Sequence, residues 1–458
     1  MTRPVRRVLV ANRGEIAVRI LRAARDLGLE TVAVHSEADR DSLAVRMADV
    51  AVAIGPPPAA KSYLNIEALI QAARESGAHA VHPGYGFLSE NARFAEAVEN
   101  AGMVFIGPTP EAIRMMGNKS LARETAAKAG VPTVLGSDGV VGTPDKALVA
   151  AAEIGYPVMI KASAGGGGRG IRVAAGPDEL RKQMDVAQVE AQSAFGDKSV
   201  YLERFIRRAR HIEVQVLGDG HEVVHCFERE CSLQRRRQKI LEEAPSPALD
   251  PSTRQRLCES AVRLAKSVGY RGAGTMEYLY DDDTGEFFFI EMNTRIQVEH
   301  PVTEMVTGID LVCEMIRVAL GEPLRLRQSE ISIRGAAIEC RINAEDPERG
   351  FMPSPGRVSD FRAPGGPGVR MDTMLYSGYT VPPYYDSLLG KLIVHAENRR
   401  AAIARMRGAL RELQVEGVKT TRGLHLKLLD EPRFDAAQFD TGFLEAWLAQ
   451  QQVAANPA

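Results

Sequence analysis

An α/β fold is predicted by three features of this 458-residue sequence. Apolar strand-length runs alternate with amphipathic helix-length runs through the N-terminal region. Gly165 to Gly168 stand together between two strand-like segments. Hairpin signals then converge on Glu291-Met-Asn-Thr-Arg-Ile-Gln-Val-Glu-His300, which follows an apolar strand.

The alternation begins with a buried strand over Val5 to Val10, an amphipathic helix over Ile16 to Leu27 and a strand over Thr31 to Val34, the opening of a Rossmann-like βαβ unit. The turn Ala11-Asn-Arg-Gly-Glu15 lacks the spaced glycines that bring backbone close to a dinucleotide pyrophosphate, which argues against a nicotinamide site. A helix over Ile66 to Ser76, a strand at Ala80-Val81, a helix over Ala92 to Asn100 and a strand over Val104 to Ile106 complete the unit. The Gly- and Pro-punctuated loop His82 to Asn91 reads as a functional loop or a structured connection. A boundary is placed near Thr109-Pro110, followed by one helix from Glu111 to about Ala129 that carries Lys119.

The next strand ends in Lys161 and another resumes at Ile171, with Gly165 to Gly168 and Gly170 between them. Consecutive glycines are costly to order, so they suit a place where backbone amides approach phosphate oxygens or where a lid moves. Lys161 and Arg169 are charge partners for such a ligand, and a flexible hairpin tip is the alternative. No Gly-Lys-Ser or Gly-Lys-Thr follows, so the loop is not a Walker A element. A strand over Ser199 to Ile206 leads to a hairpin of His211 to Leu217 and Glu222 to Phe227 about Gly218-Asp-Gly220. The cations within Glu228 to Lys239 suggest either a local anion site or a solvated face.

Gly274 to Tyr280 and Glu286 to Ile290 form the hairpin that sets up the stretch quoted first, with Asp281-Asp-Asp-Thr-Gly285 as its turn. Period-two alternation puts Glu291 and Asn293 on one face, and the expected register sets Glu277 across from Glu291. Two like charges there repel, and two carboxylates with an amide make a hard oxygen set for Mg²⁺ or Mn²⁺. A solvated strand face is the alternative. Beyond Ile331, strands are expected over Ala336 to Ile342, Val369 to Met374 and Leu388 to Val394, and helices over Arg399 to Leu413 and Thr421 to Leu429.

Composition sets limits on function. A formal net charge of -2 disfavours broad electrostatic binding of nucleic acid. Five cysteines without CxxC spacing read as reduced thiols, and the apolar run Val8 to Ala11 is too short for a signal segment. No stretch approaches a membrane span, so a cytoplasmic protein is expected.

Together these stretches resemble the biotin carboxylase family. The resemblance rests on Ala11-Asn-Arg-Gly-Glu-Ile-Ala17, His82 to Asn91, Lys161 to Gly170, Glu291 to Glu304, Glu339-Cys-Arg-Ile-Asn-Ala-Glu-Asp346 and Pro382-Pro-Tyr-Tyr-Asp-Ser387, and it covers nearly the whole chain. It implies a Rossmann-like N-terminal domain over 1–114, an ATP-grasp domain over 115–330 with a lid over about 132–204, an α+β C-terminal domain over 331–446 and a tail over 447–458. It implies ATP between lid and larger half, with Lys119, Lys161 and the amides of Gly166, Gly167 and Gly168 toward phosphate, Glu203, Arg204 and Ile206 toward adenine, and His211 and Gln234 facing nucleotide. Glu277 and Glu291 would hold two Mg²⁺ or Mn²⁺ ions beside Asn293.

For the acceptor, the resemblance implies bicarbonate against Arg295, Gln297 and Val298, with Glu299 as general base, Lys239 holding the intermediate and Arg341 on the biotin oxygen. A forked guanidinium suits a planar anion. The implied reaction is ATP-dependent carboxylation of biotin through carboxyphosphate in an acetyl-CoA carboxylase. A propionyl-CoA, other acyl-CoA or pyruvate carboxylase, or another ATP-grasp carboxylate-amine ligase, is the alternative. A homodimer working with carboxyltransferase subunits is expected, and the absence of a Met-Lys-Met signature implies biotin borne by a separate carrier protein. The family's His within its Gln-Arg-Arg-His-Gln-Lys stretch is Arg237 here, and Ala164 opens the lid where some members have glycine.

Overall fold

The computed structural model describes residues 5–162, 172–195 and 197–455. They form two compact units, one of 1–131, 210–278 and 291–458 and the other of 132–209 and 279–290. In the first unit, strands β1 (Arg7–Val10), β2 (Glu30–His35), β3 (Val50–Ala53), β4 (Ala80–His82) and β5 (Val104–Phe105) make a parallel sheet in the order β3-β2-β1-β4-β5. Both faces are covered, as the near-continuous apolar runs of its strands require. The helix Gly14–Asp26 buries Ile16, Ile20 and Leu21 on one side of it. Strand β3 escapes sequence reading because its burial only alternates between intermediate and exposed at the sheet edge.

The single helix expected from Glu111 is two, Pro110–Gly117 and Lys119–Lys128. Asn118 separates them: its backbone is extended, and its side chain accepts from the amides of Ser120 and Leu121, both at 3.1 Å. An asparagine that caps its own downstream helix stops the preceding one.

Eight further strands make a second large sheet. Its members are β9 (Ala209–Asp219), β10 (Val223–Arg235), β11 (Gln238–Ala244), β12 (Arg271–Asp281), β13 (Phe287–Asn293), β14 (Ala336–Asn343), Val369–Thr373 and Leu388–Ala396. The order runs β13-β12-β9-β10-β11-β14, then Leu388–Ala396, then Val369–Thr373. Strands expected in a separate C-terminal region thus extend the sheet that carries Glu277 and Glu291. The helix Arg399–Glu412 covers one face with Ile403, Met406 and Leu410 against Ile338, Leu392 and Val394. Leu392 is fully buried there. Leu392→Ala is expected to destabilise this unit by about 2–5 kcal/mol, read as a lower urea midpoint, because the core collapses only partly around the lost side chain.

The second unit holds a three-stranded sheet of β6 (Val158–Ala162), β7 (Arg172–Ala174) and β8 (Val200–Arg204) in the order β7-β6-β8. Helices Pro144–Ile154 and Pro177–Phe195 pack Ala147, Ala151, Leu180 and Met184 on it.

Candidate active site

The chain leaves β13 at Asn293 and turns through Thr294 to Glu299 before the helix His300–Thr307, which Pro301 opens in its first turn. Glu90 fixes the start of the turn, accepting from the Thr294 amide at 3.1 Å and from Arg295 Nε at 2.9 Å. Arg295 Nη2 also donates to Asn293 Oδ1 at 2.8 Å. Within the turn, His300 Nδ1 lies 2.7 Å from the Gln297 carbonyl oxygen. Burial holds the His300 ring well below its ordinary pKa, so it is neutral and Nδ1 carries the donated proton.

Glu299 ends the turn between two cations. Its Oε1 is 2.8 Å from Lys239 Nζ and its Oε2 is 2.9 Å from Arg341 Nη2. Lys239 also pairs with Glu213 and lies 3.2 Å from Glu277. His211 Nε2 sits 3.1 Å from Glu213 and 3.1 Å from Glu277, and its Nδ1 meets the Gln234 amide at 2.9 Å. Beneath them the fully buried Arg229 donates to Gln215 at 2.8 Å, Thr303 at 3.0 Å and Gln297 Oε1 at 2.5 Å. Arg341 Nε donates to Glu242 at 2.6 Å. The cations expected as one cluster are therefore divided. Arg229 and Lys239 enter the site, while Arg236 and Arg237 form an exposed hairpin turn at φ 47° and 66°, with Arg237 also lining the cavity over the site.

The expected repulsion at Glu277 is met by Lys239 and His211 rather than left open. Burial drives the carboxyls of Glu277 and Glu299 upward, but the neighbouring cations outweigh it and both finish below the ordinary range. Burial alone would lower Lys239, yet Glu213, Glu277 and Glu299 hold it well above its usual value. At Glu242 burial wins over Arg341 and the carboxyl is pushed up to about 7. For His211, Glu277 and Glu213 overcome burial and raise the imidazole from 6.5 to about 9. A raised histidine stabilises the fold fully below pH 6.5 and ceases to do so as pH rises through 9. In protein free of metal and nucleotide, the melting-temperature gap between parent and His211→Asn should narrow between pH 6.5 and 9, and a gap constant with pH would contradict that assignment.

A cavity of about 340 Å³ opens over these groups, lined by Tyr85, Lys239, Arg295, Glu299, Arg341 and Asp386 among others. Asp386 accepts from the Leu388 amide at 3.0 Å. A larger hollow of about 1010 Å³, between β10 and the helix Pro251–Ser267, contains none of the ionisable groups just described. Tyr85 reaches the smaller cavity from a loop turned by Gly84, at φ 66°, where an added Cβ would lie 2.9 Å from Asn12 Nδ2. That amide donates at 2.7 Å to both the Pro83 and Tyr85 carbonyls, so the loop is a built part of the site.

The other expected nucleotide residues divide between the units. Lys119 Nζ, on the first unit, lies 3.8 Å from Glu291. In the second unit Lys161 pairs with Glu203, Arg204 Nη1 lies 3.3 Å from Glu286, and Ile206 packs against Val134, Ala209 and Phe288. Gly166, Gly167 and Gly168 lie outside the described residues. The donor set at the end of β13 fits a hard divalent cation. Asn293 Nδ2 donates to Glu277 Oε1 at 2.7 Å, and burial together with Glu277 raises the Glu291 carboxyl, a repulsion that Mg²⁺ or Mn²⁺ would relieve.

Sequence reasoning passed over Glu90, Glu213 and Glu242, each of which pairs with an expected site residue, and took Arg229 only as one of a group of cations. The signal was present: Glu213 sits between Ile212 and Val214, and Glu242 follows Ile240 and Leu241, and charges in such apolar runs persist only when paired.

Three family models match the chain: "Biotin carboxylase, N-terminal domain" over residues 4–113, "Carbamoyl-phosphate synthase L chain, ATP binding domain" over 118–327 and "Biotin carboxylase C-terminal domain" over 339–446. The biotin carboxylase of Nostoc sp. is 58% identical over 440 residues, covering 96% of this chain and 98% of the relative. The solved Campylobacter jejuni biotin carboxylase, a complex with β,γ-ATP, is 49% identical with a TM-score of 0.88 over 96% of this chain and 99% of that one. A dimer of the biotin carboxylase domain of Hydrogenobacter thermophilus 2-oxoglutarate carboxylase, with MgADP, ADP and bicarbonate, is 48% identical with a TM-score of 0.88, covering both chains completely. A shared three-part fold, full-length identity and a buried acid-base cluster at the matching motif agree: the chain belongs to the biotin carboxylase family, ATP-dependent ligases that carboxylate biotin.

Proposed function

We propose that this chain performs the first half-reaction of an acetyl-CoA carboxylase, with Glu299 as the base that activates bicarbonate. The observation that carries this is the Glu299 carboxylate, held 2.8 Å from Lys239 and 2.9 Å from Arg341 at the wall of a cavity that Arg295 also lines. Arg295 and the backbone of Gln297 and Val298 receive bicarbonate. Glu299 removes its proton, and the oxyanion attacks the γ-phosphorus of ATP, releasing ADP and leaving carboxyphosphate. Carboxyphosphate breaks to CO₂ and phosphate. Phosphate takes the ureido N–H proton of biotin, and the nitrogen attacks CO₂. Arg341 stabilises the oxygen charge that develops on the ureido group, and Lys239 stays on the phosphorylated intermediate.

Lys119, Lys161 and the amides of Gly166 to Gly168 bind phosphate in this account, while Glu203, Arg204 and Ile206 hold adenine, and His211 and Gln234 face the nucleotide. Glu277 and Glu291, with Asn293, hold two Mg²⁺ or Mn²⁺ ions that offset charge on phosphate oxygens. The domain limits 1–114, 115–330 and 331–446 follow the same reading. Biotin arrives on a carrier protein, carboxyltransferase subunits accept the carboxyl group, and the chain works as a homodimer. The dimeric Hydrogenobacter relative supports that last point. Five free, buried cysteines support a reducing, cytoplasmic setting, and no helix among the described residues is long and apolar enough to cross a membrane. Because that relative belongs to a 2-oxoglutarate carboxylase, another downstream acceptor is the second reading.

ADP release is expected to depend on bicarbonate and Mg²⁺ and to rise on adding free biotin. Bicarbonate-dependent turnover that an amine substrate stimulates and biotin does not would move the assignment to another ligase.

A further inference from the structure

The peptide that carries Glu299 is held from behind by a group the reaction does not consume. Lys391, on the strand Leu388–Ala396, has a fully buried side chain. Its Nζ donates to the Val298 carbonyl oxygen at 2.8 Å and lies 3.1 Å from Glu15 Oε1. Glu15 is on the helix Gly14–Asp26 and is itself 2% exposed. The same Glu15 oxygen accepts from the Tyr85 hydroxyl, and Tyr85 lines the reaction cavity. Burying an ammonium and a carboxylate is costly unless both are paired. Here the pair joins the N-terminal helix, the cavity-lining loop and the turn before Glu299.

We propose that Lys391 is a positioning residue for carboxylation, with Glu15 holding it, so that the Val298-Glu299 peptide presents both the bicarbonate-binding backbone and the base in one geometry. The turn has other ties at Thr294 and Gln297, but the Val298 carbonyl is the one directly bonded to Glu299, so its direction fixes where the Glu299 side chain departs. Lys391 and Glu15 meet Val298 and Tyr85, on the bicarbonate side of the reaction in this account, so KM for ATP should be insensitive to them. The inference rests on the functional reading given above.

The test measures kcat and the KM values for ATP and bicarbonate in the full-length protein, for the parent and for Lys391→Met, Glu15→Leu and Glu15→Gln. Misplacing a reacting group by about 1 Å can cost about a hundredfold in rate. Lys391→Met and Glu15→Leu should lower kcat by about tenfold to a hundredfold and raise KM for bicarbonate, leaving KM for ATP unchanged. Glu15→Gln keeps an oxygen acceptor for Lys391 and Tyr85 but loses the charge, and should lose clearly less kcat than Glu15→Leu. If Lys391→Met does not fold, the contrast between Glu15→Leu and Glu15→Gln decides. A kcat and bicarbonate KM unchanged in folded Lys391→Met or Glu15→Leu would overturn the positioning role, as would equal losses in both Glu15 variants. Absence of bicarbonate-dependent turnover in the parent would overturn the functional reading and this proposal with it.

Discussion

Lys239→Met should abolish turnover to within about a thousandth of the parent rate, the range seen when one charged donor is removed from a preorganised site. Lys239 is the only cation that contacts Glu213, Glu277 and Glu299 together among the described residues. Taking it away leaves three buried carboxylates facing one another, and like charges at that range cannot all stay ionised. Glu299 loses the largest influence opposing burial, so its carboxyl should rise and spend part of its time protonated at neutral pH. Glu277 should rise for the same reason, weakening the metal site. The variant should also be less stable, because removing one partner of a buried ion pair costs about 3–5 kcal/mol. Stopped turnover with an unchanged melting temperature would contradict the three-way role.

Arg341→Ala should separate the two chemical steps. Arg341 touches Glu299 and Glu242, and neither contact belongs to the nucleotide residues. Biotin-stimulated ADP release is expected to fall by about a hundredfold to a thousandfold, the loss of one donor at a developing oxyanion. Slow bicarbonate-dependent ADP release without biotin should survive, since Lys239 still holds Glu299. Equal loss of both activities would mean that Arg341 serves the bicarbonate step instead.

Much of the fold was legible because period and punctuation agreed. The strand Ala80–His82 and the helix Ala92–Asn100 fall where apolar runs and Asn91 put them, and the helix Arg399–Glu412 begins just after Asn398. The split at Asn118 was not legible, because one asparagine inside a helix-like pattern is tolerated as often as it caps. The continuation of one sheet from β11 into β14 was not legible either. That pairing, Leu241 with Cys340, spans about a hundred residues, and nothing in either strand's pattern names its partner.

The site divides in the same way. Glu299 and Arg295 stand in an unusual polar run and Glu277 was reached from it through the expected hairpin register, so sequence alone singled them out or left them one resemblance away. Glu213 and Lys391 have apolar neighbours on either side or close by in their strands, Arg229 lies between Glu228 and Glu230, and the meaning of all three lies in partners brought from other strands and helices. Like charges at Glu277 and Glu291 were read as a metal site or a solvated strand face. The fold adds Lys239 and His211 to that balance, which no spacing rule contains.

The central claim is that bicarbonate, activated at Glu299, attacks the γ-phosphorus of ATP. Turnover with ¹⁸O-labelled bicarbonate, free biotin, Mg²⁺ and unlabelled ATP tests it most directly. The account predicts that one labelled oxygen appears in each phosphate released, because carboxyphosphate breaks at the bond between carbon and the transferred oxygen. Phosphate free of label, with carboxybiotin still formed, would contradict it.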